Sequence, residues 1–229
     1  MMNQKVFVAF AVISLTLIGL DTRAQKSVGN PLFLHMHDNM VKVDKYANVN
    51  GTPFLNDEWQ MAAVMLANDV LAENVKVRIN LLENTLHYLD EEGKEMVSTQ
   101  PIKSVVFKNA ASDTSAVFVT RRFVKEGGEK LPDAWMQLLQ KGKASLLKMV
   151  HKELKDDPKQ YGSATVTQSI VTDMRYYVWY QNELTRVKNV TEIADLLVNS
   201  KLYARVDKMK KNSKSEEDMR SAIAYFNNL

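Results

Sequence analysis

Between Val75 and Leu81 the chain alternates without a break, Val75, Val77, Ile79 and Leu81 against Lys76, Arg78 and Asn80. A period of two fits a β-strand with one dry and one wet face and fits no helix. The surrounding stretch, Trp59 to Phe107, keeps this period between turn signals. Asp90-Glu-Glu-Gly93 reads as a turn between a strand around Leu86–Leu89 and another around Glu95–Val97. Pro101 opens a third at Ile102, a place where its missing N–H costs a ladder nothing. Short antiparallel strands joined by tight turns, a meander, are the expected body of the protein.

The ends of the chain read differently. Lys5, the apolar run Val6 to Leu20, and small residues at Thr22 and Ala24 have the form of a signal peptide cleaved before Gln25. Asp21 and Arg23 end that run short of the roughly 20 residues a membrane span needs. Export to the periplasm, the outer membrane or the medium is therefore expected, with no transmembrane helix after cleavage. Residues 25–58 are poorly patterned and 59–188 are strand-like. Residues 189–229 turn helical, with Thr191 a candidate cap for Ile193, Leu196 and Leu197. A basic helix follows, with Tyr203, Val206 and Met209 recurring every third residue. Ser215-Glu-Glu-Asp218 then has the form of a capping box, opening a last helix whose dry face is Met219, Ala222, Ile223 and Phe226. The fold class is α+β, a meander and hairpins with short helices at the C-terminus.

Composition removes several chemistries. The 229 residues include no cysteine, which excludes disulfides, thiolate nucleophiles and cysteine-held metals. Cleavage would remove Lys5, Asp21 and Arg23 and lower the net charge from +3 to +2. A field so weak gives no general attraction for nucleic acid. No phosphate-binding glycine loop and no nucleophile elbow occurs, so no cofactor is expected.

Three features remain as candidates. His35 and His37 share a face if their segment is a strand, an arrangement that offers a metal ion two nitrogens; a solvated pair is the commoner meaning. Tyr176-Tyr-Val-Trp-Tyr180 divides its rings, Tyr176 and Tyr180 on one face and Tyr177 and Trp179 on the other. The expectation is that Tyr177 and Trp179 are buried, leaving Tyr176 and Tyr180 to meet solvent, a partner or a ligand. Lys201 to Lys214 carries six basic side chains against Asp207, a surface for anionic headgroups or, more commonly, a solvated helix face.

Residues 135–151 are ambiguous by pattern. Trp135, Leu138, Leu139, Leu146 and Met149 fit a helical stripe, yet a turn at Lys141-Gly-Lys143 fits two strands. Here a resemblance adds information. Gly51-Thr-Pro-Phe-Leu55 with Trp59, the strand after Val75, Lys141-Gly-Lys-Ala-Ser-Leu146, Tyr176–Tyr180 and Glu216-Glu-Asp-Met219 to Asn227 resemble motifs of an uncharacterised exported family common in Bacteroidetes. The likeness runs from about Gly51 to Leu229. It implies a hairpin over 135–151 and a strand, turn and strand around Gln181-Asn182, where the family has a glycine and this chain does not. The family has no assigned activity, so it assigns no functional residue. The expected function is a non-enzymatic binding or scaffolding module of the cell envelope. The alternatives are a metal- or carboxylate-dependent hydrolase of envelope material, and a lipid carrier with a partial-barrel cavity.

Overall fold

A computed structural model describes residues 39–40, 46, 49–108, 116–120, 134–158, 167–209 and 213–229. The strands are β1 (Asn39–Met40), β2 (Val49–Asn50), β3 (Gln60–Leu66), β4 (Leu71–Asn80), β5 (Thr85–Leu89), β6 (Glu95–Val97), β7 (Ile102–Phe107), β8 (Ala116–Val119), β9 (Met136–Gln140), β10 (Ser145–Asp156), β11 (Gln168–Tyr180) and β12 (Glu183–Val187). The helices are α1 (Val190–Leu197), α2 (Ser200–Val206) and α3 (Glu216–Asn227). The signal-like segment and the pair His35 and His37 lie outside the described residues.

One sheet runs in the order β1-β6-β5-β4-β3-β7-β8-β9-β10-β11-β12, and β2 adds a parallel pairing to β11. The expected meander is β3 to β6. The chain then returns so that β7 takes the other side of β3, and the sheet grows away from it through β12. Short turns carry the register. Gly93 adopts a positive φ of 79° in the β5–β6 turn, where the Asp90 carboxylate accepts the Glu92 and Lys94 amides. Gln181 and Asn182 both take left-handed angles, φ 51° and 64°, in the two-residue β11–β12 turn. That geometry matches the twist of the strands it joins, and here asparagine supplies what glycine would.

Residues 135–151 form the β9–β10 hairpin, not a helix. Gly142 sits in its turn for a steric reason: a Cβ there would come within 2.2 Å of the Asn227 Nδ2 atom. The Asn227 amide captures the turn, accepting from the Ala144 N–H at 2.8 Å and donating to the Ala144 carbonyl at 2.9 Å. It stands in for a strand backbone at the end of α3.

Past a bulge at Glu73–Asn74, alternation holds along β4 with one exception. Val75, Val77 and Ile79 are buried and Lys76 is exposed, but Asn80, expected on the wet face, is also fully buried. Its carboxamide oxygen accepts the Leu82 and Glu83 amides, each at 3.0 Å, and shapes the turn into β5. The poorly patterned segment supplies another finding. Beyond Val77, where β3 stops pairing with β4, residues 53–55 take its place: Leu55 N–H donates to the Ile79 carbonyl and Leu81 N–H to that of Pro53, both at 2.8 Å. Lys152 on β10 donates to the carbonyls of Thr52 and Phe54, at 2.8 and 2.6 Å. With β2 alongside β11, this strap ties β4 to the β10–β11 pair.

The helices pack on β9 to β12. Met219, Ala222, Ile223 and Phe226 are all buried, as the sequence pattern predicts. The start of α3 departs from a simple capping box: Ser215 accepts the Asp218 amide, while the Asp218 carboxylate accepts from the Ser213 hydroxyl. Two expectations are corrected. The cap of α1 is Asn189, whose side chain accepts the Glu192 amide at 3.0 Å; Thr191 already lies inside the helix. The basic helix stops at Val206, with Asp207 as its C-cap, so Lys208 and Lys214 are outside it. Asn227→Ala removes both bonds of the clamp and is expected to lower unfolding free energy by about 1–3 kcal/mol in urea. Asn228→Ala, one residue on and exposed, is expected to cost less than about 0.5 kcal/mol.

Candidate functional site

The densest polar cluster among the described residues is built on three neighbouring strands. Arg78 of β4 stands opposite His87 of β5, and Glu95 of β6 lies diagonally beyond His87. Strand parity puts all three on the face opposite Val77 and Ile79. The strap adds rings: Phe54 pairs with Asn80, and Trp59 directly precedes Gln60, the partner of Val77.

These residues form a closed set. Arg78 donates through one terminal nitrogen to both Glu95 oxygens at 2.7 Å, and the His87 Nδ1 lies 2.6 Å from the same carboxylate. A carboxylate only accepts, so His87 carries its proton on Nδ1. The guanidinium carbon sits 3.8 Å from the Phe54 ring centroid and 4.5 Å from that of Trp59. Phe54 also meets His87 edge-on, with centroids 5.1 Å apart. Cation and rings attract through the ring quadrupole, by about 0.5–2 kcal/mol per contact. Burial pushes the Glu95 carboxyl up, but Arg78 first and then His87 outweigh it and hold the group below its ordinary value. His87 is buried, and its Nε2 and the Arg78 Nε have no hydrogen-bond partner among the described residues. The carboxylate is fully engaged, and the guanidinium is covered by rings. Such a set locks the three strands together.

Two recesses stand elsewhere on the described residues. One of about 150 Å³ lies between Leu86, Ser98, Pro101, Thr120 and Trp135. The other, about 560 Å³ and open, follows Gln140, Glu216, Arg220 and Ser221 along the outer side of α3. The first is smaller than the roughly 300–1,000 Å³ of a typical small-molecule site, and the second is shallow and lined mostly by polar side chains.

The tyrosine pair shares one face of β11, as its pattern predicts, and is half-buried there. Tyr176 and Tyr180 are on the face that α3 covers. The Tyr180 and Phe226 rings meet edge-on at 5.6 Å, and the Tyr176 hydroxyl donates to Glu216 at 3.2 Å, beside the Lys148–Glu216 ion pair at 2.9 Å. Burial, then the Glu216 charge, raises the Tyr176 pKa. Tyr177 is buried as expected, but Trp179 beside it is only partly so. The reason is that β11 is an internal strand whose two faces both carry core, and period-2 alternation cannot reveal that. No group of three or more metal-ligating side chains occurs among the described residues.

Pattern reasoning passed over the Arg78 cluster, because an arginine on a wet strand face is ordinary. No protein-family model, curated protein or solved structure matches this chain.

Glu95 has a lowered folded-state pKa, so its stabilisation is present above the ordinary carboxylate range and is lost as pH falls through the folded value. Glu95→Gln should therefore cost about 2 kcal/mol at neutral pH, with the gap to the wild type narrowing at an acid pH below the ordinary carboxylate range. Denaturation in urea at both pH values is the check, and a gap independent of pH contradicts it. Tyr180→Ala should cost about 2 kcal/mol, whereas Tyr180→Phe, which keeps the ring contact, should cost under about 0.5 kcal/mol.

Proposed function

We propose that this is an exported protein of the cell envelope that acts as a non-enzymatic binding or scaffolding module. The observation that carries the reading is the state of the polar cluster. Glu95 is engaged by both Arg78 and His87, and the Arg78 guanidinium stacks on Phe54 and Trp59, an arrangement suited to holding a surface rigid. A hydrolase needs a base or nucleophile within hydrogen-bond reach of an open site. The smaller described recess has no titratable side chain at its wall; the larger is an open surface where Glu216 is engaged by Lys148 and Tyr176 and Glu217 is solvent-exposed. A carrier needs an apolar cavity of acyl-chain size, whereas the buried side chains from Ala62 to Trp135 pack against one another as an apolar cluster. Export rests on the signal-like residues 1–24, and no helix of the described residues is long and apolar enough to cross a membrane.

The test has two parts. Produced with its first 24 residues in a bacterial host, the protein recovered from the envelope should begin at Gln25; an intact Met1 would oppose export. The recovered protein should then co-sediment with isolated envelope material and leave it chemically unchanged. Release of soluble sugars or peptides, abolished in His87→Ala, would support the hydrolase instead.

A further inference from the structure

The β10–β11 pair outreaches its neighbours. It is paired from Ser145↔Trp179 to Asp156↔Gln168, yet β9 accompanies β10 only as far as Met149. From Val150 to Asp156 the second edge of β10 has no backbone partner among the described residues. Glu153 to Asp156 are exposed, Leu154 by 41%. The parity of this edge is known. Asp157 N–H donates to the Thr167 carbonyl, so the odd-numbered residues of β10 bond to β11. Lys152, Leu154 and Asp156 therefore turn their amides and carbonyls outward.

We propose that this edge pairs with the same edge of a second copy of the chain, antiparallel, about a two-fold axis at Leu154. An exposed edge whose amides and carbonyls have no partner among the described residues is a template for such pairing unless charge opposes it. Here charge selects one register. With the axis at Leu154, Leu154 faces Leu154, Glu153 faces Lys155 twice, and Lys152 faces Asp156 twice. Outward-bonding residues then meet outward-bonding residues, and the Glu153–Lys155 pairs occupy the positions where side chains approach most closely. An axis at any charged residue sets like charges face to face: Lys152 on Lys152, Glu153 on Glu153, Lys155 on Lys155 or Asp156 on Asp156; one at Val150 requires the Lys148 edge, which β9 already holds. An axis at His151 requires the Met149 edge, which β9 already holds. Lys152 is bound by the carbonyls of Thr52 and Phe54, so the weight falls on Glu153 and Lys155. Within one copy these two already sit 2.8 Å apart, and the pairing exchanges that contact for two between copies. The contact is isologous and closed, and ends at a dimer.

Charge reversal tests it. Sedimentation equilibrium of the purified protein should show a monomer–dimer equilibrium. Glu153→Lys and Lys155→Glu, each placing two like-charge pairs across the axis, should raise the dissociation constant about tenfold or more. The double variant, which restores both pairs, should return it to the wild-type value. The chain has no cysteine, so single cysteines report register directly. Leu154→Cys should form a disulfide-linked dimer under mild oxidation, because directly opposed residues lie about 5.5 Å apart. Glu153→Cys, which faces Lys155, should not. A protein that stays monomeric, a dimer indifferent to both reversals, or equal cross-linking at 153 and 154 would overturn the proposal.

Discussion

The long ladder between β10 and β11 is the constraint on which the remaining architecture depends. Its register alone decides what each face presents. Leu146 opposite Val178 faces the helices, and Leu147 opposite Tyr177 faces the other way. Val150, further along β10, packs against the core of β3, β4 and β5. One pair of strands thus touches all three apolar clusters of the described residues. A slip of one residue would exchange every one of these side chains between faces, so the register is held by burial on both sides.

Everything else ties the ladder down at a particular point. Asn227 fastens the C-terminal helix to the turn that begins β10, and Lys148 with Tyr176 fastens the start of the same helix to mid-ladder through Glu216. Lys152 fastens the strap, and through it the far side of β4. Burial lowers the Lys152 pKa, with Asp57 opposing it only in part, so the amine is held in place by two carbonyls and not by a full ion pair. Tertiary order is thereby concentrated in a few side chains that mimic or capture backbone. This is how a chain with no disulfide fastens a large open sheet.

Much of this was legible in the sequence. Strands β4 to β7, the turn at Gly93 and the dry face of α3 follow from periodicity and turn chemistry alone. The β9–β10 hairpin did not: Leu138, Leu139, Leu146 and Met149 satisfy a helical stripe because β9 and β10 are buried on both faces, which erases alternation. The same double burial sets Tyr176 and Tyr180 against α3, a cover that alternation along β11 does not reveal. Asn189 and Thr191 are both competent caps, and only the chain's entry angle chooses between them. The strap was illegible for another reason. Its contacts are backbone hydrogen bonds of Pro53 and Leu55, which leave no side-chain pattern.

Amide hydrogen exchange along β11 is the most direct test of the ladder's central role. If the aromatic strand is the structural axis, the Tyr177 and Val178 amides should exchange only by global unfolding, with a free energy equal to that from urea denaturation. The amides of Thr172 and Met174, which turn away from β10 where β12 no longer reaches, should exchange far sooner. Exchange at Tyr177 and Val178 through a local opening several kcal/mol cheaper than unfolding would mean that the strand is a mobile surface element. A ligand-facing role for its tyrosines would then replace the structural one.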